Sequence, residues 1–195
     1  MINFDNRAGT TPLDSNEING LKLNHITTLG ELNQWEQINI LKAVIWVNKV
    51  KPKKILNDQF VKQLHYKMFN DVWSWAGTFR QTNKTIGCEW YQIPMSLRNL
   101  FDDTKYWIEQ NDQTPDVIGV TFHHRLVAIH PFPNGNGRHA RLMTDILLEN
   151  ILACSKFTWG SVSSLRTGNS RERYIQALHE ADGLNYEPLL EFVRS

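Results

Sequence analysis

The sequence predicts a mainly α protein interrupted by one short β-hairpin. Three observations carry this: apolar residues recur at helical spacing along most of the chain, capping residues or prolines open several of those stretches, and one stretch is rich in β-branched and aromatic residues instead. Thr28 and Glu31 stand as a capping box, and Leu32, Trp35, Ile38, Leu41 and Ile45 then mark the apolar stripe of a long helix running to about Val50. Phe60, Leu64 and Met68 mark a second helix over Asp58 to Phe69. Leu97, Leu100, Phe101, Trp107 and Ile108 mark a third over Ser96 to Glu109. Thr114 and Pro115 supply a cap and a first-turn proline for a fourth helix carrying Ile118, Phe122, Leu126 and Ile129. A fifth runs from about Gly137 to Ile151, and two short ones start at Ser170 and Glu187. Between the Trp73 to Gly77 turn and Ser96, the run TFRQTNKTIGCEWYQI reads as the hairpin, with Asn83 and Lys84 at its tip.

A chain of 195 residues has room for one domain of ordinary size, roughly 150 residues, and a little more. With 21 Lys and Arg against 20 Asp and Glu, the net charge of +1 gives no general attraction to nucleic acid or to a membrane surface. Any affinity for phosphate must therefore be local. The 41% apolar content supports a normal core, and two cysteines, Cys88 and Cys154, make neither a disulfide framework nor a zinc site. The first residues lack the apolar core of a signal peptide, and no apolar run approaches the ~20 residues of a spanning helix, so a cytoplasmic location is expected.

The chemistry concentrates in His130 to Arg141, HPFPNGNGRHAR. Pro131, Pro133, Gly135 and Gly137 forbid a continuous helix, so the chain must cross a tight loop and begin a new one. A helix start preceded by small residues offers unpaired N–H groups and the positive end of a dipole. Arg138 and Arg141 fall in its first turns on one face. Cations are unfavourable to the helix there, and make sense if a polyphosphate shares the spot. His130 can accept a proton from a hydroxyl near neutral pH, Asn134 offers an oxygen able to help hold Mg²⁺, and Asn136 can donate to an anionic oxygen. A His-Pro-Phe turn or a Gly-Asn-Gly run alone reads as structural. A base, a glycine-rich anion loop and two arginines within twelve residues do not.

This run resembles the signature of the Fic family, H-P-F-x-[D/E]-G-N-G-R-x-x-R, and the FHHRLVAIHPF lead-in and the YIQAL segment extend the likeness over roughly residues 35 to 193. The wording WAGTFR, IGCEW and FTWG further resembles the subgroup named mobile mystery protein B, known from bacterial mobile elements. The resemblance implies a Fic-fold helical bundle with a hairpin flap, a Fic domain over 31–195, and an N-terminal segment over 1–30. It implies a protein adenylyltransferase that moves AMP from ATP to a hydroxyl side chain of a target protein, with Mg²⁺ as cofactor. His130 would be the general base, Gly135, Asn136 and Gly137 would hold the α- and β-phosphates, Arg138 and Arg141 the β/γ end, and Phe132 would anchor the loop. The flap, Arg80, Gln81, Thr82, Asn83, Lys84, Thr85, Ile86 and Gly87, would pair with an extended target segment.

Two departures matter. Asn134 stands where most active members carry a metal-binding Asp or Glu, and contributes no charge. The inhibitory pattern [S/T]-x-x-x-E-[G/N] is matched by Ser15 and Gly20, but Asn19 replaces its glutamate, so an uncharged side chain is expected to face Arg141; the same stretch also reads as a polar helix cap. A catalytically weak nucleotide-binding regulator or toxin–antitoxin component, with an antitoxin or regulatory partner, is therefore an alternative, and a Doc-type phosphotransferase is another. His123, His124 and His139 lack the HExxH or CxxC spacing of a metal site, no P-loop is present, and the tryptophans read as core or flap-base residues. Tyr174 reads as packing, or by analogy as an adenine neighbour. Neither membrane nor direct nucleic-acid binding is expected.

Overall fold

In the computed structural model, which describes residues 14–161 and 170–195, the helices follow the sequence pattern closely. A single turn, α1 (Ser15–Ile18), leads to α2 (Leu29–Val50), opened by the expected capping box: Glu31 N–H donates to Thr28 Oγ1 at 3.2 Å and Thr28 N–H to Glu31 Oε2 at 3.0 Å. Asn57 caps α3 (Asp58–Phe69) through Phe60 N–H at 2.8 Å. A 3₁₀ turn (Trp90–Gln92) runs into α4 (Ile93–Gln110), which starts before the expected Ser96 because Pro94 sits comfortably in its first turn. Then come α5 (Pro115–Ile129), α6 (Asn136–Ile146) continuing into a π turn (Leu147–Ile151), α7 (Ser170–Asp182) and α8 (Glu187–Arg194).

Helix α5 lies between α4 and α6, and α2 packs on α3. Leu64, Met68, Leu97, Leu100, Phe122, Phe132 and Met143 form the main core, so the loop between α5 and α6 is pinned through Phe132 at its centre. A second apolar cluster, with Phe157, Tyr174, Leu189 and Phe192, holds α7 and α8 against the other side of α5.

Two expectations are corrected. The hairpin is absent: residues 78–89 form no strand, and an isolated Leu21–Trp73 bridge is the one β pairing among the described residues. The carbonyls that a ladder would need are taken by a side chain instead. The buried Arg80 guanidinium donates to the carbonyls of Thr82 at 2.8 Å, His130 at 2.7 Å, and Cys88 and Ile129, while Arg80 N–H donates to Pro131. Asn83 closes the loop by bonding Glu89 and Trp90 N–H.

The second correction concerns the face of α2. Of its expected stripe only Leu32 is buried, while Trp35 is 40% exposed and Ile45 67%. Glu36 and Asn39 point inward because each finds partners there. Trp73 Nε1 donates to Glu36 at 2.6 Å, Asn39 Nδ2 donates to the Lys67 carbonyl, and Asp71 N–H donates to Asn39 Oδ1 at 2.8 Å.

Candidate active site

Helix α5 ends on His130, whose backbone is left-handed (φ 53°), so the chain turns sharply and the imidazole is held under the 80s loop. The ring is buried and its pKa is lowered to about 4, chiefly by loss of solvation, then by the charges of Arg80 and Lys84. It is neutral at physiological pH, as a proton acceptor must be.

The loop beyond it is braced from the core. His65 of α3 stacks on Phe132 (centroids 3.7 Å apart), accepts Gly77 N–H on Nδ1 at 3.0 Å, and donates from Nε2 to the Asn134 carbonyl at 3.1 Å. Burial pushes its pKa well down, which fits this neutral tautomer. His139 lies below, its Nε2 on the Val61 carbonyl. Gly135 must be glycine: its φ is 77°, and a Cβ would meet the Phe69 ring at 2.6 Å. Gly135→Ala is expected to cost about 1–3 kcal/mol, read as a lowered thermal midpoint.

Helix α6 then starts with no side-chain hydrogen bond capping it among the described residues, so the positive end of its dipole is not met by a side chain. The helix start opens on a cleft of about 680 Å³ that also meets His130, Asn134, Tyr174 and, from α2, Asn33 and Gln37. Arg138, Arg141 and Arg171 line it, and among the described residues no carboxylate facing it belongs to that lining. Arg138 pairs with Glu36 at 2.6 Å; Arg141 rests against the rings of Tyr174 (4.3 Å) and Trp159 (5.6 Å).

The expected residues are therefore brought together, with changes of role. The Asn136 amide turns inward, accepting Phe132 N–H at 2.9 Å and donating to the Phe132 carbonyl at 2.8 Å, so its side chain closes the loop rather than facing phosphate. Asn134 Oδ1 accepts Gly135 N–H at 2.6 Å. Already engaged and uncharged, that oxygen makes a poor ligand for Mg²⁺, and no group of three His, Cys, Asp or Glu among the described residues could hold a metal. Arg80 is a buried organiser of the 80s loop rather than part of its exposed face, whereas Gln81, Thr82, Asn83, Thr85, Ile86 and Gly87 are exposed.

The inhibitory motif is also placed elsewhere. The first thirteen residues of the N-terminal segment and the Ser15 side chain lie outside the described residues. Asn19 is exposed and Gly20 sits under Trp75, so α1 docks on the Trp73 to Trp75 turn and, through Glu17, on Lys84 at 2.5 Å. Arg141 is on the far side of the motif, against α7. Sequence reading missed Glu36, His65 and Trp159. Glu36 and His65 sit inside apolar helical patterns, where a lone polar residue is the available signal.

An arginine-lined cleft at a helix start beside a buried histidine has the chemistry to hold an anion. Residues 55–148 match the Fic/DOC family. Among curated relatives it is 36% identical over 95 residues to a probable protein adenylyltransferase of Aquifex aeolicus, covering 47% of this chain and 25% of that one. It is 26% identical over 121 residues to the protein adenylyltransferase Fic of Nematostella vectensis, covering 60% and 26%. The chain thus spans about a quarter of the length of these relatives. Among solved structures it is similar to the N-terminal Fic domain of a Bartonella quintana effector (TM-score 0.70, 19% identity, 91% of each chain). It is likewise similar to the BepC protein of Bartonella tribocorum, solved with bound AMPPNP (TM-score 0.67, 17% identity, 93% and 97% covered). Among the described residues no helix is long and apolar enough to cross a membrane.

Proposed function

We propose that this protein is a Fic-type adenylyltransferase that transfers AMP from ATP to a hydroxyl side chain of a target protein. The observation that carries the reading is the neutral, buried His130 at one end of a cleft whose other end is an uncapped, arginine-lined helix start. The relatives named protein adenylyltransferase, and the neighbour solved with AMPPNP, support it. In this reading the backbone N–H groups of Asn136 and Gly137 meet the α- and β-phosphates, joined by that of Gly135 when Asn134 releases it, and Arg141 and Arg138 meet the β/γ end. His130 takes the proton of the target hydroxyl as its oxygen attacks the α-phosphorus, the bond to the bridging oxygen breaks, and pyrophosphate leaves. The exposed part of the 80s loop receives the target segment. The Fic domain would span 31–195, and the wording of the motifs supports the mobile mystery protein B subgroup.

Mg²⁺ enters with the nucleotide's own phosphates in this reading, since among the described residues no carboxylate lines the cleft. Asn134→Asp is expected to steepen the Mg²⁺ dependence of nucleotide binding; an unchanged metal titration removes that role from the position. The Glu36–Arg138 pair favours a second reading, a nucleotide-binding protein whose transfer is restrained, acting with a regulatory partner. Incubation with ATP labelled at the α- or the γ-phosphate, Mg²⁺ and a cell lysate, followed by mass spectrometry, separates the readings. His130-dependent α-label and an AMP mass shift support transfer of AMP. Label from the γ-phosphate makes the protein a phosphotransferase, and binding without transfer leaves the regulator.

A further inference from the structure

We propose that Trp159 is a positioning residue for Arg141: with Tyr174 it presents ring faces to the guanidinium, so that the N–H groups stay directed at the anion in the cleft. The proposal rests on the reading that the cleft takes a nucleoside triphosphate.

The two motif arginines are held in different ways. Arg138 is ion-paired to Glu36, but among the described residues Arg141 has no carboxylate partner, and its Nε is buried without a hydrogen-bond acceptor. What it has is the ring of Tyr174 at 4.3 Å, a hydrogen bond to the Tyr174 side chain, and the ring of Trp159 at 5.6 Å. A ring face attracts a cation without accepting from its in-plane N–H groups, so the N–H groups not bonded to Tyr174 remain available to an oxyanion.

The rings themselves are fixed. Trp159 Nε1 donates to Asp145 Oδ1 at 2.9 Å, and its ring lies 4.6 Å from His123 and 5.2 Å from Phe157. The Tyr174 hydroxyl shares a 2.9 Å hydrogen bond with His123 Nε2. Burial and the Arg141 charge lower the His123 pKa to about 3, so no second cation stands beside the guanidinium.

The backbone also fixes the ring's place. Trp159 is left-handed (φ 55°), which is uncommon for a bulky side chain, and Gly160 follows at φ 71°. Thr158 and Trp159 N–H both donate to the Val193 carbonyl, holding the turn in place. Tyr174 reaches the cleft, whereas Trp159 is absent from its lining, so Trp159 acts through Arg141.

The test is calorimetric binding of ATP and of AMP to the full chain, because Arg141 is assigned to the β/γ end that AMP lacks. Trp159→Leu is expected to weaken ATP about 5- to 10-fold and AMP less than about twofold, in line with the strength of a partly buried cation–π contact. In an Arg141→Ala background, Trp159→Leu should change the ATP-to-AMP ratio no further. A ratio unmoved by Trp159→Leu, or an equal extra loss in the Arg141→Ala background, overturns the positioning role. Should Trp159→Leu lose its cooperative thermal unfolding, Trp159→Met carries the test, since it fills more of the space but presents no ring face to Arg141. A ratio shifted about threefold supports the role and an unchanged one overturns it. Wild-type protein that binds no ATP, or Arg141→Ala with undiminished ATP affinity, instead overturns the nucleotide reading on which the proposal rests.

Discussion

Replacing His130 with alanine is expected to lower transfer by about 10³-fold while leaving ATP affinity within about threefold, because a general base contributes roughly 10²–10⁴ to rate and touches the target proton rather than the phosphates. Its setting keeps the side chain in the free-base form. It projects from a left-handed residue at the end of α5, is buried, and is surrounded by the positive charges of Arg80 and Lys84, which with burial lower its pKa to about 4. An exposed histidine would lose half its free base near pH 6.5, and this one does not. Initial rates measured from pH 8 down to 6, above the range of acid unfolding, should therefore show no step near 6.5. Such a step, or an Ala variant with more than a tenth of wild-type transfer, removes His130 from the role of base.

Acidification is expected to unfold the protein cooperatively between about pH 6 and pH 4, well above the range where carboxylates alone would act. His123 and His139 are buried with pKa values of about 3, His130 of about 4, and His65 is pushed well down, in every case chiefly by burial. Above pH 6.5 each is neutral in both the folded and unfolded chain and contributes no pH dependence. As pH falls below 6.5 the unfolded chain takes up protons that the folded one refuses, so stability is lost progressively down to the folded pKa. At pH 4.5 the penalty is roughly 2–3 kcal/mol for each of His123 and His139, at about 1.4 kcal/mol per pKa unit. Asp145 works the other way. Burial raises it to about 7, so its destabilising charge is relieved as pH falls from 7 towards 4. Four histidines outweigh one aspartate, and the net loss is several kcal/mol, a large share of the ~5–15 kcal/mol of a typical domain. Thermal midpoints across this range check the prediction; a midpoint constant from pH 7 to pH 4.5 contradicts it.

The helices were legible because caps and periodicity are local. Thr28 and Glu31, Thr114 and Pro115, and the prolines and glycines of the 131–137 loop each announce their structure within a few residues. Which face a helix buries is not local. On α2 the apolar stripe marks the helix correctly but the wrong side of it, because Glu36 and Asn39 meet partners 28 to 102 residues away. The 80s loop fails for the same reason: β-branched residues favour strands, but one arginine anchored to the carbonyls of residues 129 and 130 dictates the path. The motif gave the cleft, since its chemistry is compressed into twelve residues. Its supports, His65, Glu36 and Trp159, come from elsewhere in the chain and carry no spacing that links them to it.

Arg80 gives the site a mechanical property. One guanidinium grips Thr82 and Cys88 on the exposed loop and Ile129 and His130 at the end of α5. Gly87 lets the loop lie directly on that grip, since a Cβ there would strike both Arg80 and His130. The loop and the histidine therefore share a single degree of freedom: neither can shift without withdrawing a donor from the other. A shift of the exposed loop would therefore be felt, through one side chain, at the backbone that carries the imidazole.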